Sequence, residues 1–307
     1  MLAYYADHFV LPLPAGHRFP TEKYRRLRDG LGAQCPDVRL AEAPRATDAA
    51  LTLVHDPAYV QAVADGTLAP ALLREIGFPG SEAMAERARY SVGATLAACE
   101  AARAEGIAAN LAGGTHHAES GKGGGFCVFN DVAVAARVLQ AQAWRDTPLQ
   151  VAIVDLDVHQ GNGTAQIFHS DPNVFTLSLH GEHNFPFRKA TSDLDVALPD
   201  GCGDHQYLAA LDHALDVMAQ RFSAEFVLYL AGADPHEGDR LGRLKLTFEG
   251  LAERDRRVFE WAWQRRIPLA FAMAGGYGRE INDTLQVQMN TFGIALAYHR
   301  QWQNQDR

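Results

Sequence analysis

The sequence predicts an α/β fold in which a single open, mostly parallel sheet carries helices on both faces. Three observations point to it. From residue 107 onward, short apolar runs alternate with longer helical stretches. The runs, such as Val151-Ala152-Ile153-Val154, are apolar at successive positions, as strands buried on both faces are. No repeat, linker or low-complexity tract divides the 307 residues. Repeated β-α order is what a parallel sheet with right-handed crossovers requires, and one domain spanning 1–307 is the expectation.

The elements follow in order. Residues 4–10 are expected to form a strand that runs into the proline-bearing loop LPLPAGHRFP at 11–20. Thr21 is then placed to cap a helix carrying Lys23, Tyr24, Arg25 and Arg26, stopped at Gly30 or Gly32. A short strand is expected at 50–54, and Asp56 before Pro57 marks a helix with proline in its first turn. Ser81 opens the longest helix, 82 to about 105, whose alanine-rich faces suit close packing, and Gly106 ends it. Thereafter strands are expected at 107–111, 150–156, 174–179, 226–230 and 268–273. Helices are expected at 130–144, 164–169, 205–222, 248–265 and 283–299.

Composition narrows the function classes. With 47% hydrophobic and 21% charged residues the chain is ordinary for a globular protein, and its net charge of −9 argues against non-specific binding to nucleic acid or an anionic membrane. Cys35, Cys99, Cys127 and Cys202 lie far apart and form no CxxC pair, so neither a disulfide framework nor a thiolate zinc site is indicated, and a reducing compartment fits. The opening MLAYYADHFVLPLPAG lacks a basic region and carries Asp7 and His8 within its apolar part, unlike a signal peptide. No apolar run approaches the ~18 residues of a membrane span. A soluble cytoplasmic protein of open oligomeric state is expected.

The chemistry gathers at strand ends. Five expected strands run directly into polar or glycine-rich residues: GGTHHA at 113–118, DLDVHQGNG at 155–163, SLHG at 178–181, AGADPHEGD at 231–239 and AGGYG at 274–278. In open parallel sheets ligands bind beyond the carboxyl ends of the strands, so these loops should converge on one crevice. Asp155, Asp157 and His159 alternate along one strand end and would share a side. With Asp234 from another strand end, Asp157 and His159 offer a divalent metal three ligands and leave positions open, the condition of a catalytic site. Two carboxylates and one imidazole suit Zn²⁺ and Fe²⁺ alike. Taken alone, Asp234 also reads as a turn aspartate before Pro235.

The tandem His116 and His117 after a glycine turn suit a general base with a second imidazole that stabilises charge. Asp155 and Asn162 are the candidate partners for their far ring nitrogens. Aspartate favours imidazolium, whereas asparagine fixes orientation alone, which would set the two pKa values apart. Tyr277 after two glycines is placed to hold a phenol against a developing oxyanion, or to pack at the sheet edge. Gly123, Gly124, Gly125 and Phe126 read as a backbone-lined wall faced by Phe185-Pro186, a slot suited to an unbranched alkyl chain. No phosphate cradle is implied, because the triple glycine lacks the Lys-Ser/Thr ending of a P-loop.

Together GGTHHA, GGGFCVFND, VDLDVHQGNG, SLHG, AGAD with EGDRLG, and AGGY, in this order, resemble the zinc-dependent histone deacetylase superfamily, whose members share the arginase-like α/β fold. The likeness runs from Gly16-His17-Arg18-Phe19-Pro20 to Tyr277, and HQGNG with EGDRLG most resembles the class IV branch and its bacterial relatives. It implies zinc on Asp157, His159 and Asp234, and His117 as general base and acid. It also implies His116 with Asp155 as electrostatic partner, Tyr277 polarising the scissile carbonyl, and Phe126 and Phe185 lining an acyl-lysine tunnel beside Gly125. A structural K⁺ is implied on main-chain oxygens of Asp155, Asp157, His159 and Leu179 and the side chains of Asp155 and Ser178. Several members carry aspartate where this chain has Asn162.

The expected activity is removal of an acyl group, acetyl foremost, from protein lysine side chains or a related alkylamine. Acetylpolyamines and long-chain acyl-lysines are the alternative substrates. A two-Mn²⁺ ureohydrolase on the same fold would resemble DxHxD and DxD, where this chain has His159-Gln160-Gly161 and Asp234-Pro235-His236. A non-catalytic acyl-lysine-binding module is the alternative of a different class.

Overall fold

The computed structural model describes residues 1–7, 10–14, 16–142 and 147–305. Among them one sheet is built from β1 (Leu2–Tyr5), β2 (Arg39–Glu42), β3 (Ile107–Asn110), β4 (Val151–Asp155), β5 (Val174–Gly181), β6 (Leu194–Leu198), β7 (Phe226–Leu230) and β8 (Leu269–Ala272). The strand order is β2-β1-β3-β8-β7-β4-β5-β6, and each described pairing between neighbours is parallel.

Side chains of β4 show how the sheet is covered. Ala152 and Val154 point into one apolar cluster, Val151 and Ile153 into another. The first face is packed by α1 (Lys23–Gln34), α8 (Asp204–Arg221), α9 (Phe248–Gln264) and α10 (Ile281–Gln305), which bring in Leu27, Leu211, Phe259 and Phe292. The second is packed by α5 (Glu82–Glu105) and α6 (Asp131–Ala141), through small residues such as Ala98, Ala102 and Ala135 that let the helices approach closely. Each fully buried Leu or Phe contributes about 1.5–3 kcal/mol, so it is this two-sided burial that makes the strands apolar throughout. No helix among the described residues is long and apolar enough to cross a membrane.

The caps explain several boundaries. Ser81 accepts a hydrogen bond from the Met84 N–H at the start of α5, and Asn130 accepts from Ala133 at the start of α6. Gly106 ends α5 with φ 85°. Pro57 opens α3 (Pro57–Ala64), as Asp56-Pro57 predicts.

Three local expectations are corrected. Residues 50–54 form no strand: Thr47 accepts from Ala50 and starts the helical turn α2 (Asp48–Leu51), so the cap overrides the apolar run ALTLV. In α1 the cap position is Glu22 and Thr21 caps nothing; the helix passes through Gly30 and Gly32 to Gln34. Their missing side chains admit Met289 of α10 and Leu40 of β2, packing that offsets the low helix propensity of glycine. The first strand covers 2–5 and not 4–10, where His8 and Phe9 lie outside the described residues and Val10 is in no strand. Ala143 and Trp144, the expected end of the helix at 130–144, also lie outside them. Strands β2 and β6 and helix α4 (Pro70–Ile76) carry no sequence signal strong enough to be read.

The sheet register positions the site. Asn110 pairs with Ala272, Ala272 with Leu230, Leu230 with Asp155, and Asp155 with Ser178, so one row crosses the centre of the sheet. The polar segments after these five residues therefore leave at the same level. Strands β3 and β4 follow one another in sequence but have β8 and β7 between them, and that switch point is where an open α/β sheet holds its ligand.

Candidate metal centre and active site

At the tips of β4 and β7, Asp157, His159 and Asp234 are buried and offer ligand atoms that all lie within 4.8 Å of one another. His159 turns Nδ1 toward both carboxylates, 2.9 Å from Asp157 Oδ1 and 3.2 Å from Asp234 Oδ2. The other oxygens are held by main chain: Gly275 N–H donates to Asp157 Oδ2 at 2.7 Å, and Val158 N–H to Asp234 Oδ1 at 2.9 Å. Asp234 Oδ2 is buried with no hydrogen-bond partner.

A buried carboxylate oxygen left without a donor, beside a second carboxylate and an imidazole nitrogen, fits a divalent cation. The electrostatics agree. Burial and the charge of Asp157 raise Asp234 to about 7, while His159, despite burial, is raised to about 10 by its bond to Asp157 and the nearby Asp234 carboxylate. Burial also opposes ionisation of Asp157, but His116 and His159 hold its carboxyl low. Both raised values follow from the negative charge gathered in the cluster, which a bound cation would offset.

The β3 loop brings the two histidines over this cluster, their rings 4.2 Å apart. His116 Nδ1 lies 2.6 Å from Asp155 Oδ2, and His117 Nδ1 2.7 Å from Asn162 Oδ1. Burial would lower both pKa values. For His116 the charges of Asp155 and Asp157 outweigh burial and raise it to about 9, whereas His117, buried beside His116 with a neutral amide behind it, falls well below 6.5. The two imidazoles are thus shifted in opposite directions.

Tyr277 completes the arrangement from the β8 loop. Its ring lies 6.3 Å from that of His159, and burial, with Asp157 and Asp234, keeps its phenol protonated. A cavity of about 40 Å³ adjoins His116, His117, Asp157, His159 and Tyr277, and is also lined by Phe19, Tyr24 and Arg87. Phe126, at φ 67°, turns its ring onto Phe78, Phe19 and Tyr277, because the N–H groups of Gly125 and Phe126 are tied to the carbonyls of Glu75 and Ile76. Phe185, 40% exposed, stands edge-on to His117 at 4.8 Å. It faces the Gly125 backbone, where a Cβ would lie 3.0 Å from its ring. The wall opposite Phe185 is therefore main chain, with Phe126 set deeper. Ser178 Oγ lies 3.0 Å from His180 Nδ1, Leu179 follows it in β5, and Asp155 Oδ1 accepts from Asp157 N–H at 3.1 Å.

Several supporting residues carry no sequence signal of their own. Asp131, fully buried, accepts from Gly114 N–H, Thr115 N–H, the Thr115 hydroxyl and the Thr95 hydroxyl, and so shapes the turn before the histidines. Asp239 accepts from Tyr277 N–H at 2.6 Å and from Leu241 and Gly242. Lys23, buried in α1, donates to the carbonyls of Ala274 and Gly276 and lies 5.4 Å from the Tyr277 ring centre. His55 accepts from Asn130 N–H through Nε2 and donates through Nδ1 to Glu119 O and Ser120 O. All four act across more than 15 residues of sequence, beyond the reach of local patterns.

Comparison with known proteins follows this geometry. Residues 17–290 match the histone deacetylase domain. An uncharacterised protein of Picosynechococcus sp. is 44% identical over 282 residues, covering 91% of this chain and 93% of that protein. Histone deacetylase 2 of Arabidopsis thaliana is 36% identical over 205 residues, 64% of this chain, and the match spans about half of that longer protein, 52%. Among solved structures, an HDAC homolog from Aquifex aeolicus superposes with a TM-score of 0.82 at 24% identity, covering 96% of this chain and 83% of that one. An acetylpolyamine aminohydrolase from Burkholderia pseudomallei gives 0.76 at 23% identity, covering 97% and 99%. At these identities the two structures establish a shared fold.

Proposed function

The chain belongs to the histone deacetylase family, and from that premise we infer that it is a metal-dependent amidohydrolase removing an acyl group, acetyl foremost, from protein lysine side chains or a related alkylamine. The whole chain is read as one catalytic domain. The observation that carries the reading is Asp234 Oδ2, buried without a hydrogen-bond donor within a three-ligand cluster, beside two histidines backed by Asp155 and Asn162.

Asp157, His159 and Asp234 would hold the divalent ion, zinc or ferrous iron, which when bound supplies Lewis acidity toward water and the acyl carbonyl. His117, kept neutral, accepts the proton of the attacking water through Nε2, the nitrogen that Asn162 leaves to the cavity. His116, kept cationic by Asp155, stabilises the negative charge that develops, and the Tyr277 phenol donates to the carbonyl oxygen as it becomes an oxyanion. As the C–N bond breaks, a histidine proton passes to the departing nitrogen, leaving a carboxylate and a free amine. The gap between Phe185 and the Gly125 backbone takes the alkyl stem of the substrate, with Phe126 deeper in the site. Acetylated polyamines present the same amide on an alkyl stem. Asp155, Ser178 and the main chain of Asp157, His159 and Leu179, adjacent at the tips of β4 and β5, are read as the seat of a structural K⁺.

Deacylation of acetyl-lysine, longer acyl-lysine and acetylpolyamine substrates, with bound metal quantified, tests this. One divalent ion per chain is expected. Asp157→Ala should lose that metal and activity together, while Tyr277→Phe should keep its metal and lose about 100-fold or more in kcat. Normal activity in either variant contradicts the assignment, and two divalent ions per chain would favour ureohydrolase chemistry.

A further inference from the structure

Asn162 offers His117 an amide, and an amide is ambiguous where a carboxylate is not. A carboxylate only accepts, so it would hold the proton on Nδ1 and leave Nε2 free to take one. An amide turned end for end donates to Nδ1 instead and draws the imidazole into the opposite tautomer, with Nε2 already protonated and useless as a base. The productive sense of the amide therefore needs a second anchor.

That anchor lies on the far side of Asn162. Its Nδ2 is 3.5 Å from Oε1 of Glu119, whose side chain is 22% exposed and has Lys122 Nζ at 3.7 Å. Turning the amide round would set its oxygen against the Glu119 carboxylate, a repulsive contact that the productive sense avoids. Glu119 is itself held by main chain: its N–H donates to Lys122 O at 2.8 Å, and its carbonyl accepts from His55 Nδ1 at 3.0 Å. We propose that Glu119 is a positioning residue which, through Asn162, sets the tautomer of His117. The role rests on His117 being the proton acceptor of the proposed reaction.

Imidazole ¹⁵N shifts of the zinc-loaded protein report the tautomer directly and need no substrate. Above the ordinary histidine pKa the native chain should show His117 as the Nδ1–H form alone, and Glu119→Ala should give a mixture of tautomers. Its kcat should fall about 10-fold or more, with KM and metal content unchanged. Adding Asn162→Asp to Glu119→Ala should restore the single tautomer and most of kcat, because a carboxylate needs no second anchor. A Glu119→Ala protein that retains Nδ1–H alone overturns the proposal whatever its activity. So does an equal loss of kcat with and without Asn162→Asp. A chain inert toward every acylated amine would defeat the functional reading instead, since the spectra still report the tautomer.

Discussion

Gly275 makes room for the two carboxylates of the candidate metal cluster by having no side chain. A Cβ there would lie 1.9 Å from Asp234 Oδ2 and 2.5 Å from Asp157 Oδ2, closer than atoms approach, and the carboxylates are held by their own main-chain bonds. Gly275→Ala is therefore expected to push the ligands apart and weaken metal binding roughly 10- to 100-fold. Competition titration against a chelator, alongside a thermal melt, checks it: weaker binding with an unchanged melt of the metal-free protein is the expected pair. At this scale much is legible in the sequence. Asp157 and His159 alternate on one strand end and the histidine pair is contiguous, so local spacing identifies them. Gly275 reads only as part of a turn, because the atoms it makes room for come from β4 and β7.

At the scale of elements, His55 ties three pieces together: the segment before α3, the loop at Glu119 and Ser120, and the start of α6 at Asn130. Both ring nitrogens are used in the neutral form, and burial lowers its pKa to about 4. Between about pH 4 and 6.5 His55 binds a proton more readily in the unfolded chain than in the folded one, so its contribution to folding stability rises with pH across that window. As pH falls from 6.5 to 4 this histidine is expected to withdraw on the order of 3 kcal/mol. Denaturant midpoints taken from about pH 7 to about pH 4 should fall more steeply for the native chain than for His55→Asn. His180, also lowered to about 4 by burial, keeps its share in both proteins. Equal slopes would show that His55 is not held neutral. Elements with a cap or a long apolar period, such as α5 behind Ser81 and β7, are legible in the sequence. Strand β6, with alternating exposure, and α1, which runs through two glycines, depend on their neighbours.

Across the whole molecule the strand tips are tied to the helical layer by a buried ion pair. Arg254 of α9, fully buried, donates to Gly232 O at 2.5 Å and Leu156 O at 3.3 Å, each two residues or fewer before a candidate metal ligand, and pairs with Asp255 at 2.7 Å. Tyr229 of β7 and Thr291 of α10 also donate to Asp255. Arg254→Met would leave that carboxylate buried without its cation and is expected to cost about 3–5 kcal/mol of stability in chemical denaturation. Combining it with Asp255→Leu should recover part of the loss, since the penalty lies mainly in the stranded charge. No recovery would mean that the carbonyl contacts of Arg254 carry the stability.

The sequence by itself determined the parallel α/β class, the five polar strand ends and the groups proposed to hold a metal and move protons, because each is written in spacing over a few residues. Only the tertiary structure decided which residues hold those groups in place. Asp131, Asp239, Lys23, His55 and Glu119 reach the site once the sheet register has aligned Asn110, Ala272, Leu230, Asp155 and Ser178 in one row. A hydrogen bond between residues tens of positions apart depends on the path of the whole chain, and no local pattern of residue types encodes it.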